Sequence, residues 1–293
     1  MPLAPILLFT YNRPSHTKKT LDALLKNPLS QQSELFIFSD GAKDESDKPK
    51  VEESRKIAHS IAGFAKIYLV ENQENKGLAK NIIEGVSQII EKYGKVVVLE
   101  DDLITSPWFL TFMNEALEKF EKEEKIGHVH GYCYPDLKLP ESFLIKWAGS
   151  WGWGTWKRAW NLFNPDGQAL LNQMERENLT KTFDFNGRYP YTRMLRRQIR
   201  GENNSWAIRW NASLFLADKL SVNAGRSLVQ NIGFDGSGTH SGNKEIYTTA
   251  LYDKKLSTEI PEIRENVAAR AAFEHYYRKT NSFWAKVKRR LTK

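Results

Sequence analysis

An α/β fold, built on a mostly parallel central sheet with helices on both faces, is the architecture this sequence predicts. Through the first hundred residues, short apolar runs alternate with segments whose apolar residues recur at helical spacing. Those segments are long enough to carry right-handed crossovers, which set successive strands parallel and bury both faces of the sheet. Each apolar run also ends in polar residues, and ligands of such sheets sit beyond the carboxyl ends of the strands.

Residues 5–9 are a continuous apolar run ending in Thr10-Tyr11-Asn12-Arg13-Pro14. Leu21, Leu24 and Leu25 then recur at helical spacing and predict a helix over 17–25. A second strand over 35–38 precedes the polar loop that begins Ser39-Asp40-Gly41. A helix over 51–61, a strand over 66–70 and a helix over 78–91 repeat the pattern. The run Val96-Val97-Val98-Leu99 is the most apolar β-branched stretch of the chain and predicts its most buried strand. The second half is less regular: a short strand over 143–147, the Gly/Trp-rich stretch 149–160, helices over 192–200 and 208–217, and a Gly-rich loop over 233–242. No internal repeat and no Pro/Ser linker divides the chain. Its expected organisation is a first lobe over 1–135, a second over 136–260, and a helical basic tail over 261–293, with the two lobes forming one unit.

The 293 residues suffice for a substantial core without staples. A single cysteine, Cys133, excludes an intramolecular disulfide framework and fits a reducing compartment, so a cytoplasmic location is expected. The first apolar run is too short to span a bilayer and lacks the basic start of a signal peptide. A formal net charge of +8 admits nucleic acid, an anionic membrane surface or a small polyanion as partner. From Phe283 to Lys293 basic residues stand beside large apolar ones, a composition suited to a helix lying on anionic lipid, peripheral at the inner face of the cell membrane.

Four strand ends carry the candidate chemistry. Glu100-Asp101-Asp102 places three adjacent carboxylates straight after a buried strand, where repulsion and desolvation call for a cation. Hard oxygen donors favour magnesium or manganese over zinc. The competing explanation is an acidic helix start, with Ser106-Pro107 opening the next helix. Thr10, Asn12 and Arg13 follow the first strand, and Arg13 can grip a diphosphate by a bidentate hydrogen bond. Asp40 follows the second strand, either as acceptor for the N3-H of a uracil or as the cap of a turn ahead of Gly41. Asn75, Gly77 and Lys80 mark a helix start facing an anion. In Gly149-Ser150-Trp151-Gly152-Trp153-Gly154-Thr155-Trp156, glycines interleaved with tryptophans make poor helix and poor strand but offer flat apolar faces on which a sugar ring can stack. Trp153 is the donor-binding candidate among them, and about half of these tryptophans are expected to fill space.

The segment Val96 to Phe109 resembles the metal-site segment of the inverting N-acetylglucosaminyltransferase I family. Leu8-Phe9-Thr10-Tyr11-Asn12-Arg13-Pro14 and Asn75-Lys76-Gly77-Leu78-Ala79-Lys80-Asn81 resemble elements of bacterial family-2 glycosyltransferases. The likeness continues in order through the Gly/Trp stretch and Ser205-Trp206 to Gly233–His240, so it covers most of the chain up to about Gly242. It implies the GT-A (Rossmann-like) fold and an inverting transfer from a nucleotide-sugar donor, a UDP-sugar first of all, to a glycan or lipid-linked glycan acceptor. It further implies that Asp102 binds Mn2+ or Mg2+, that Asp101 and Glu100 hold the ribose and order the site, that Arg13 meets the diphosphate, and that Asp40 meets the uracil. His240 stands either as a second metal ligand or as a plain loop histidine.

Related enzymes carry an acid just ahead of the tryptophan matching Trp206, and here Asn204 and Ser205 stand there instead. Glu202 is then the nearest candidate for the general base, with Asp235 next. Two other classes compete: a carbohydrate-binding module that has lost catalysis, and a nucleic-acid binder suggested by the net charge. No nucleic-acid-binding motif is present, so no nucleic-acid partner is expected.

Overall fold

The computed structural model describes residues 2–235 and 246–281. His240 and the basic segment from Phe283 to Lys293, expected as metal ligand and membrane contact, lie outside the described residues.

The first half alternates as its periodicity requires: β1 (Ile6–Thr10), α1 (Pro14–Leu25), β2 (Glu34–Ser39), α2 (Lys48–Ser60), β3 (Lys66–Glu71), α3 (Leu78–Tyr93) and β4 (Lys95–Glu100). β1 lies between β2 and β4 and pairs parallel with both, Ile6 facing Leu35 on one side and Val97 on the other. Successive side chains of the buried strands pack into opposite layers. Leu7, Phe9, Val96 and Val98 join a cluster with Ile82 and Val86 of α3. Ile6, Leu8, Val97 and Leu99 join the cluster of Leu21 and Leu24 of α1. Both faces are therefore covered, which is why these strands read as unbroken apolar runs.

Beyond β4 come β5 (Leu103–Thr105), α4 (Phe109–Lys119), β6 (Ile126–His130), β7 (Ser142–Ile145), β8 (Trp153–Trp156), α5 (Lys157–Trp160) and α6 (Gly167–Arg176). They are followed by α7 (Thr180–Phe183), α8 (Tyr191–Ile199), α9 (Trp206–Leu216), β9 (Leu220–Ala224), β10 (Val229–Asn231) and α10 (Val267–Asn281). The eight-stranded sheet runs β3-β2-β1-β4-β8-β6-β9-β7, so it takes strands from both sides of residue 135. β8 is antiparallel to β4 and β6, β7 is antiparallel to β9, and the remaining pairs are parallel. No helix among the described residues is long and apolar enough to cross a membrane.

The Gly/Trp stretch is corrected here. It forms β8, with Trp153 and Trp156 buried, because Gly154 lets α4 and β4 close in: a Cβ there would lie 2.9 Å from Met113 Cε and from the Val96 carbonyl oxygen. Trp153, Trp160, Trp206 and Trp210 pack on one another, with ring centroids 5.1 Å apart for the Trp153–Trp206 pair. Trp153, expected to meet the donor, is 1% exposed and belongs to the core.

Candidate active site at the carboxyl edge of the sheet

β1 and β4 lie side by side with Phe9 opposite Glu100, so the residues following both strands leave the sheet at one edge. Arg13 folds back across that edge. Its Nη2 donates to Asp101 Oδ1 at 2.5 Å and its Nη1 to Asp102 Oδ2 at 3.0 Å, so one guanidinium bridges two carboxylates. Asp101 is further fixed by the Tyr11 backbone N–H, 3.2 Å from Oδ2, while Thr20 Oγ1 donates to its carbonyl at 2.8 Å. The acidic turn is thus joined to the first strand and the first helix by side chains some ninety residues away in sequence.

One arginine does not balance three acids. Burial, and then the charges of Asp102 and Asp101, push Glu100 up to about 8, with Arg13 opposing. Burial likewise pushes Asp101 up to about 6 against the pull of Arg13. Burial alone would lower the Arg13 pKa, and the charges of Asp101 and Asp102 more than reverse that. The edge therefore carries uncompensated negative charge in a desolvated place, a setting that favours an added cation.

The two-stranded ribbon brings a distant segment to this turn. β10 pairs antiparallel with β5, Asn231 opposite Leu103, and the Ile232 N–H donates to the Asp102 carbonyl at 2.8 Å. Gly233 comes next, and a Cβ on it would lie 2.3 Å from Asp102 Oδ2, so only glycine fits against that carboxylate. Two residues on, Asp235 Oδ2 lies 3.2 Å from His16 Nε2, with the Asp235 side chain 45% exposed and His16 buried. Asp235 is thereby held at the acidic edge. Gly233 opens the Gly-rich loop that the sequence singled out, whereas His16 carries no motif that sequence patterning would detect; β5 and β10 are three residues each, too short to leave a period.

The other candidates fall into two groups. Thr10 is buried at the end of β1, and its Oγ1 has no hydrogen-bond partner among the described residues. Asn12 Nδ2 and the Tyr11 hydroxyl both donate to Asp47, each at 2.6 Å, so Asp47, which the sequence did not single out, fixes the turn after β1. Asp40 departs from the uracil expectation. Its Oδ1 accepts from the N–H groups of Gly41 and Lys76 and from Asn72 Nδ2, and its Oδ2 accepts from the Gly77 N–H at 2.9 Å. Four donors on a buried carboxylate fill nearly all its lone-pair positions, and the loop-clamping role displaces base recognition. Asn75 completes the clamp by donating to the Gly41 carbonyl at 2.8 Å. Gly77, at φ 73°, turns the chain into α3, while Lys80 is solvent-exposed 3.8 Å from Glu84.

Glu202 also departs from expectation. It accepts from Arg197 Nε at 3.0 Å and Arg200 Nε at 2.6 Å, and these bonds, Arg200 first, hold its pKa below the ordinary value. Glu202 thus stands exposed on the turn after α8, paired with two arginines.

Beside the acidic edge lies a cavity of about 330 Å³, walled by Tyr132, Tyr134, Trp147, Trp151, Phe234 and Tyr247. Its lining includes His130, buried and pushed down to about 3 by desolvation. Among the described residues no three His, Cys, Asp or Glu side chains gather as a metal cage.

The sequence model described as glycosyl transferase family 2 matches residues 6–202. No curated protein sequence matches significantly. Among solved structures, the mannosyltransferase PcManGT from Pyrobaculum calidifontis, in complex with GDP-Man and Mn2+, aligns at 16% identity and a TM-score of 0.39, over 59% of this chain and 46% of that one. TarS from S. aureus aligns at 14% identity and a TM-score of 0.33, over 48% of this chain and 24% of that one. This chain thus spans less than half the length of either. The matched segment carries the strands, the arginine and the acidic turn of the site, and more than half of the chain lies within it: the protein belongs to glycosyl transferase family 2.

Proposed function

We propose that this glycosyltransferase moves a sugar from a nucleotide-sugar donor to a hydroxyl of a glycan or lipid-linked glycan, with inversion at the anomeric carbon, and that Asp235 is the general base. The observation that carries this is the gathering of Arg13, Asp101, Asp102 and the Gly233–Asp235 turn at one carboxyl edge of the sheet.

The residues present fit a hard divalent ion. Arg13 takes one oxygen of Asp102, burial together with the charges of Asp102 and Asp101 raises the Glu100 pKa, and Mg2+-type ions are held by one or two carboxylates together with substrate phosphates rather than by an all-protein cage. Asp102 would hold Mn2+ or Mg2+, with Asp101 and Glu100 behind it, and the ion when bound supplies neutralisation of the departing diphosphate. Arg13 keeps both carboxylates oriented for that duty. Asp235, steadied by His16, takes the proton of the acceptor hydroxyl as that oxygen attacks the anomeric carbon from the face opposite the nucleotide. With Asp40 engaged in its loop, selection of the base passes to other groups, and both UDP- and dTDP-sugars belong in the first screen.

The test is release of nucleotide diphosphate from a panel of such donors with Mn2+ present, with NMR assignment of the product anomer. Asp235→Asn should lower turnover by about 10²–10⁴-fold, the usual worth of a positioned base, while donor affinity stays within about twofold. Unchanged turnover in that variant removes Asp235 from the role, and a product with retained configuration overturns the single-displacement scheme.

A further inference from the structure

We propose that the aromatic cavity beside the acidic edge receives an apolar alkyl or aryl aglycone of the acceptor. The inference rests on the glycosyltransferase function above and specifies what the acceptor carries.

Position comes first. Phe234 lines the cavity and directly follows Gly233, which packs against Asp102; the next residue is Asp235. A group seated against Phe234 therefore lies one residue in sequence from Asp235. Phe234 stacks on Tyr247 at 5.3 Å between centroids, and Trp151 packs edge-on against both, at 5.7 and 5.5 Å.

The wall chemistry then selects the occupant. Although tyrosines are numerous, their polar ends are engaged with protein. Tyr132 donates its hydroxyl to the Tyr247 carbonyl at 2.9 Å. Tyr134 accepts from the Tyr277 hydroxyl at 3.1 Å, and Tyr191 accepts from Trp147 Nε1 at 2.7 Å. What remains for an occupant is mostly ring face. A sugar ring carries several hydroxyls, and each one buried without a partner loses the hydrogen bonds it made to water. An alkyl or aryl group meets no such cost and gains from leaving water.

The experiment uses the whole chain without donor. Methyl, octyl and phenyl glycosides of one sugar are titrated by calorimetry, with tryptophan fluorescence as a second signal. Octyl or phenyl glycoside should bind at least about tenfold more tightly than methyl glycoside, and the octyl and phenyl arms decide between a chain and a ring as natural occupant. Ala207→Phe, which fills the cavity from the start of α9, should abolish that preference while UDP binding is retained; Trp151→Ala should weaken the octyl and phenyl glycosides and leave the methyl glycoside unchanged. Equal binding of all three glycosides overturns the proposal, as does a preference that survives Ala207→Phe. Tight octyl binding in a protein that transfers nothing to the bound glycoside upholds the cavity assignment and counts instead against the transfer geometry.

Discussion

At the ends of β1 and β4, the side chains of Arg13, Asp101 and Asp102 hold together at hydrogen-bonding distance, and Asp101 also accepts from the Tyr11 backbone N–H. A few residues away, the cavity is walled by rings whose hydroxyls bond to protein rather than to its interior. One region concentrates buried charge; the other presents mostly ring faces. The proposed polyanionic donor and the proposed acceptor with an apolar part would suit those two environments in turn. Parallel strands supply the first region through their ends. The second depends on antiparallel β8, inserted between β4 and β6, and on loops that return from residues far along the chain.

Removing a core ring and removing a cavity ring should separate the regions most sharply. Trp153→Ala, in the packed tryptophan cluster, should cost about 3–5 kcal/mol of stability and show as a large fall in Tm. Trp151→Ala, half-buried at the cavity, should leave Tm nearly unchanged. If the two variants melt alike, the division between packing and ligand surface fails. Asp40→Ala comes next: it leaves the Lys76 and Gly77 N–H groups and Asn72 without their acceptor, at about 2–3 kcal/mol, and loosens the start of α3. Urea denaturation measures this loss. A stable Asp40→Ala protein with lost preference for uridine over cytidine donors would restore base recognition to Asp40.

The smallest effect is expected at Glu202. Glu202→Gln removes an exposed charge paired with Arg197 and Arg200, and steady-state turnover should remain within about twofold. A large fall in turnover without a change in donor affinity would return the base to Glu202 and detach Asp235 from catalysis.

What the sequence disclosed follows from how local each feature is. β1, β2 and β4 are runs of Ile, Leu, Val and Phe buried on both faces, so their apolar character is continuous and their ends are sharp. The acidic turn and Arg13 are each visible as strand-end residues, and the parallel order places them together. Trp153 was misassigned because alternation with glycine looks open in one dimension; the ring's neighbours, Trp206 and Trp210, come from α9, more than fifty residues on. Asp235, the second base candidate, comes to His16 at the start of α1 by way of the β5–β10 ribbon, a pairing no local run reveals. Glu202 looked available because nothing in its local run reveals that Arg197, on the preceding turn of α8, and Arg200 fold onto it. Asp40 was seen correctly as a strand-end carboxylate, but the backbone donors of residues 76 and 77 that occupy it arrive from the end of β3.

The central claim is that Asp102, braced by Arg13, makes the charged edge a site for a divalent ion carrying a nucleotide diphosphate. Titration calorimetry of UDP into the wild-type chain and into Asp102→Asn, each with and without Mn2+, tests it most directly. Because asparagine keeps the shape and can still accept from Arg13, the variant should fold with a similar Tm. The account predicts Mn2+-dependent UDP binding in the wild type and loss of that dependence, with at least about tenfold weaker affinity, in the variant. Equal Mn2+-dependent affinity in both proteins would contradict it.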